Sequence, residues 1–128
     1  MVEFFGYLAD LRESEKIMSS CGIGLALYEP TQNQKVRHYS WYGGAGKVLH
    51  YLAAGLPVVI TAEPYIAGEI VANDCGVVVA YSKEAVVEAL ARFFENENFY
   101  RQQKINARRF AETRDWNKIF EKALSDLI

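Results

Sequence analysis

The chain carries no excess of positive charge. Its 128 residues hold 14 Lys and Arg against 16 Asp and Glu, a formal net charge of -2. Binding along a nucleic-acid backbone needs a strongly positive surface, so nucleic acid is not expected as a partner. No apolar run approaches the roughly 20 residues of a membrane span, which leaves at most a peripheral contact through the late basic residues. The opening MVEFFGYLADL lacks the basic start and long apolar stretch of a secretory signal. Only two cysteines occur, Cys21 and Cys75, and each follows a helical segment and precedes a glycine and a strand. They read as small buried hydrophobes in a reducing, cytoplasmic setting rather than as a disulfide framework. Lone thiols without a nearby His or second Cys are rarely metal ligands, and no metal or cofactor is expected. Ser-His-Asp and Cys-His nucleophile arrangements are also missing.

What is present begins with Lys47 to Ile60, KVLHYLAAGLPVVI. Its first half is apolar on nearly every side, which predicts a helix packed all round. Only Lys47 and His50 interrupt it, three apart and therefore on one face. Gly55 suits the left-handed residue that closes a helix, and Pro57 follows where a helix cannot continue. Pro57 to Ile60 is a short β-branched run without alternation, the pattern of a strand covered on both faces.

The remaining chain alternates in the same way. Strands are expected at Val2–Tyr7, Ile23–Tyr28 and Val77–Tyr81, besides Pro57–Ile60. Helices are expected from Asp10, which caps a segment running to about Ser20, from Ile66 to Asn73, and after the N-cap Ser82. Asn96-Glu97-Asn98 breaks that last helix. A polar helix then runs from Phe99 to about Glu112, and Asp115 caps an amphipathic helix carrying Trp116, Ile119, Phe120, Leu124 and Leu127. Buried strands separated by helices predict one α/β domain over 1–128, a Rossmann-like parallel sheet with helices on both faces.

In such sheets ligands bind outside the carboxyl ends of the strands. The long segment EPTQNQKVRHYSWYGGAG leaves Tyr28 and delivers Gly44, Ala45 and Gly46 to the start of the Lys47 helix. A glycine-rich entry into a helix leaves backbone N–H groups free for an anion, and Lys47 adds a formal charge, so a diphosphate fits. A glycine linker before a structural helix is the competing reading. No Ser or Thr follows Lys47 as in a P-loop, and no G-x-G-x-x-G follows a strand. On spacing alone His50 is a packing histidine more readily than a ligand contact. Tyr39, Trp41 and Tyr42 could stack on a ring or anchor the loop.

These residues also resemble a known family. HYLAAGLPVV (50–59) is similar to the segment that begins with the second motif glutamate in nucleotide-sugar glycosyltransferases of the two-Rossmann-domain GT-B type. CGIGLALY (21–28), AGKVLHYLAAGLP (45–57), IAGEIVANDCGVVVAYSKEAVVEALARF (66–93) and RRFAETRDWNKIFEKAL (108–124) resemble other segments of that family in the same order. The resemblance implies part of a GT-B C-terminal domain that binds a nucleotide-sugar donor. The reaction cleft would lie against an N-terminal acceptor domain that, like the start of the donor domain, this chain is expected not to contain, so no turnover is expected from the chain alone. It places Tyr42, Gly44, Ala45, Gly46, Lys47 and His50 at the donor, with Lys47 on the diphosphate side. It also exposes a departure: the family's E-x7-E glutamates fall on Tyr42 and His50. A degenerate, non-catalytic subunit is therefore the alternative, and an uncovered sheet edge would favour self-association.

Overall fold

In the computed structural model, which describes residues 2–35, 41 and 45–128, the sheet has three strands. These are β1 (Gly24–Ala26), β2 (Val58–Thr61) and β3 (Gly76–Val79), parallel and in the order β1-β2-β3. The helices are α1 (Leu11–Ser19), α2 (Ala45–Ala53), α3 (Ile66–Ala72), α4 (Lys83–Glu95), α5 (Glu97–Thr113) and α6 (Trp116–Leu127). The strand register, Gly24 opposite Val58 and Val58 opposite Gly76, sends alternate residues to opposite faces. Val58 and Ile60 face α2, α3 and the second half of α5, where Val48, Leu52, Ile70, Ala107 and Phe110 fill the larger core. Val59 faces α4 and the start of α5, among Ala89, Phe93, Phe99 and Tyr100. Helices thus cover both faces, which is why β2 reads as continuously apolar.

Local chemistry sets the helix ends. Asp10, Ser82, Asn96 and Asp115 each accept a bond from a backbone N–H in the first turn that follows. Asn96 both ends α4 and caps α5, so the expected break is a single residue and α5 starts two residues early, at Glu97. Gly55, at φ +77°, closes α2: its N–H reaches the Leu52 carbonyl and that of Leu56 reaches Tyr51. Asp74 does the same for α3 at φ +48°, with Cys75 N–H on the Ile70 carbonyl.

Three expectations need correction. Val2–Tyr7 forms no strand: Gly6 turns the chain at φ +69°, the segment pairs with nothing among the described residues, and Phe4 is 90% exposed. Without a neighbouring ladder its apolar residues have no face to bury. Next, α2 is not packed all round. Val48 and Leu52, one turn apart, are buried, whereas Lys47, His50 and Ala53 are exposed. Finally, Cys75 is buried but Cys21 is exposed at the end of α1.

Candidate functional site

Parallel connection makes α2 run opposite to the strands, so its N-terminus stands at their carboxyl edge. Contacts at both ends agree. Lys47 Nζ lies 4.9 Å from the centroid of the Tyr28 ring, just beyond the end of β1. A turn later, Tyr51 covers Gly24 at the strand's start so closely that a Cβ there would fall 2.4 Å from the ring. Lys47 is therefore in the first turn of α2, as the sequence predicts, and its ammonium is steered by the face of Tyr28.

Tyr28 is itself fixed. The β1–β2 ladder ends at Ala26 and Ile60, and buried Thr61 extends it with its side chain. Thr61 Oγ1 accepts from Tyr28 N–H at 2.9 Å and donates to the Tyr28 carbonyl at 3.1 Å. Burial pushes the Tyr28 hydroxyl above its ordinary pKa. Sequence reasoning misses Thr61; a β-branched polar residue closing an apolar strand at the carboxyl edge of the sheet is the available signal.

On its exposed side Lys47 joins His50 and Tyr51 in lining a cleft of about 330 Å³, closed opposite by Leu11, Ser14, Glu15 and Met18 of α1. Lys47 and His50 do share a face. The packing reading of His50 fails, because the side chain is exposed and makes no hydrogen bond among the described residues. Ala45 and Gly46 begin α2 without acidic residues in the first turn, which leaves the N-terminal amides to carry the helix's positive end. Tyr39, Tyr42 and Gly44 lie outside the described residues. Trp41 does not: its carbonyl accepts from Tyr65 N–H at 3.1 Å and its ring lies 6.2 Å from that of Tyr65, tying the approach to α2 onto the turn after β2.

Further back, α5 lies against α2. Arg108 Nη1 donates to the Ala53 carbonyl at 3.2 Å. Arg114 pairs with Glu69 of α3 at 2.5 Å, which assigns Glu69 a structural partner. Among the described residues no cluster of His, Cys, Asp and Glu could hold a metal ion, and no helix is long and apolar enough to cross a membrane.

The architecture is thus part of a Rossmann-like GT-B domain, with a helix N-terminus and a lysine at the carboxyl edge of a parallel sheet. The chain belongs to the family described as glucosyltransferase 3-like, C-terminal domain, whose profile matches residues 5–127. Among solved structures it is similar to the crystal structure of WaaG, a glycosyltransferase involved in lipopolysaccharide biosynthesis. The identity is 28% and the TM-score 0.61, over 87% of this chain and 28% of that one. The chain therefore spans little more than a quarter of that relative's length. No curated protein matches its sequence.

Proposed function

We propose that this chain is the donor-binding part of a glycosyltransferase, taking a nucleotide-sugar at the carboxyl edge of the sheet. Residues 1–128 would act as one C-terminal domain beside an N-terminal domain that holds a glycan or lipid-linked acceptor, at the cytoplasmic side of cell-surface polysaccharide synthesis. The observation that carries this reading is the position of the α2 N-terminus: a first turn without acidic residues that carries Lys47, at the edge where parallel sheets take their ligands. Membership of a glycosyltransferase C-terminal family supports it independently.

In this reading the Gly46 region and Lys47 hold the diphosphate. Their contribution is electrostatic: charge builds on the leaving nucleoside diphosphate as the glycosidic bond breaks, and preorganised donors stabilise it there without rearranging. His50, one turn on, stands where the family's glutamate holds the ribose. A neutral imidazole can accept such a bond at one ring nitrogen and donate at the other. Calorimetric titration of UDP, GDP and ADP into the full chain tests the reading. Saturable binding of at least one is expected; absence of heat with all three, from this chain and from any longer parent protein, overturns it.

One observation favours a second reading, a non-catalytic subunit: both motif glutamates are replaced, by Tyr42 and His50. Apolar surface around Leu25 and Phe94, beside a hollow of about 350 Å³ at the free edge of β1, supports self-association in that case. A stable dimer by sedimentation together with no nucleotide binding would favour it.

A further inference from the structure

A second hollow of about 590 Å³ runs between α2, α5 and the start of α6. It is large enough for a small ligand, such sites spanning roughly 300–1,000 Å³. Gly46 and His50 line it from α2, Arg108 and Glu112 from α5, Arg114 from the turn, and Trp116 from α6. Gly46 stands at the α2 N-terminus, and His50, in the last turn of α2, also lines the cleft beside Lys47, so the groove adjoins the proposed donor site.

Its chemistry is specific. Trp116 is 81% exposed, an uncovered aromatic plate at the rim. Both guanidinium groups are anchored at one point, Arg108 on the Ala53 carbonyl and Arg114 on Glu69. Each retains further N–H donors, since a guanidinium carries five. The Glu112 carboxylate and the His50 imidazole have no hydrogen-bond partner among the described residues. Arg108 and Arg114 share the groove with Glu112 and the α6 cap Asp115, and Arg114 is already paired with Glu69, so no positive charge is in excess. A phosphate site needs an excess of positive charge, and this groove has none. A pyranose ring needs what is here: an apolar plate for its C–H face, with anchored planar donors and a carboxylate acceptor for hydroxyls that do both.

We infer that the α2–α5 groove is a sugar subsite for a neutral hexopyranosyl unit. The ring stacks on Trp116, Glu112 accepts from its hydroxyls, and Arg108 and Arg114 complete its hydrogen bonds. The sugar comes from the acceptor glycan or from the donor; the recognition chemistry is the same.

Saturation-transfer NMR on the full chain tests this and distinguishes the sources. The probes are methyl glucoside, methyl galactoside, maltose and lactose, and UDP-, GDP- and ADP-glucose against the corresponding diphosphates. Transfer to ring protons of a free glycoside assigns an acceptor sugar. A glucose-dependent gain of a nucleotide-sugar over its diphosphate assigns the donor sugar. In either case Trp116→Ala lowers the affinity roughly tenfold, the scale of one aromatic contact. Trp116→Phe retains most of it, and Glu112→Gln gives an independent loss. Phe120→Ala, on the apolar stripe of α6 but outside the groove, leaves binding unchanged. No transfer to any glycoside and no gain from the sugar moiety overturns the inference, as does an equal loss from Phe120→Ala. Retained diphosphate binding would then leave the donor reading standing while this one falls.

Discussion

Replacing Thr61 by Val keeps the shape of a buried residue and removes only its hydroxyl. That hydroxyl makes two bonds to one residue, accepting from Tyr28 N–H and donating to the Tyr28 carbonyl. Valine leaves both backbone groups without that partner where β1 ends. A net hydrogen bond contributes about 1 kcal/mol and an orphaned buried group costs about 1–3 kcal/mol. Tyr28 is half-buried, so water can reach part of the deficit, and the expected loss is about 2–3 kcal/mol in all. For a domain of this size that lowers Tm by roughly 10 °C. Urea unfolding should show a lower midpoint with an unchanged slope, since the surface exposed on unfolding is the same. Thr61→Ser keeps both bonds and loses one methyl group, about 1 kcal/mol. A Val variant as stable as the parent, or a Ser variant weaker than Val, would refute the reasoning. Because Tyr28 carries Lys47 on its ring, the Val variant should also weaken diphosphate binding.

Gly76→Ala should cost about 3 kcal/mol in urea unfolding, because its Cβ would lie 2.2 Å from the Val58 carbonyl oxygen, a backbone atom in the paired strand. Lys47→Met should keep the fold, since the residue is exposed, and weaken a nucleoside diphosphate by roughly tenfold in calorimetry, about 1.4 kcal/mol. A thiol reagent at neutral pH should label Cys21 quickly and Cys75 only on unfolding. Burial raises the Cys75 thiol from 9.0 to about 11, so the unfolded chain loses that proton first as pH rises. The contribution of Cys75 is complete below about pH 9 and falls away up to about pH 11, a slope that Cys75→Ala should remove.

Much of this arrangement was legible in residue order. The β-branched runs gave β2 and β3, and the caps Asp10, Ser82 and Asp115 marked helix starts correctly because capping is a local bond. Gly55 was readable for the same reason. Val2–Tyr7 misled because its composition suits a strand, whereas strandedness depends on a neighbour that the sequence does not display. His50 misled in the other direction. An apolar helix reads as buried all round, but the sheet and α5 take the side of Val48, Leu49, Tyr51 and Leu52 and leave His50 exposed. Thr61 and the Arg108–Trp116 side of the groove are long-range contacts, separated by tens of residues from what they touch, and no spacing rule reports them. The resemblance to the glycosyltransferases reached the family, and the structure supplied which groups meet at the sheet's edge.

Binding of a nucleoside diphosphate at the carboxyl edge beside α2 is the central proposal. Amide chemical-shift mapping of the full chain during titration with the best-binding diphosphate tests it directly. The largest shifts are expected at Gly46, Lys47, Tyr28 and Thr61, with Gly22, Gly55 and Asp74 at the opposite edge unmoved. Saturable shifts centred on Gly22, Gly55 and Asp74, with the Lys47 region silent, would contradict it.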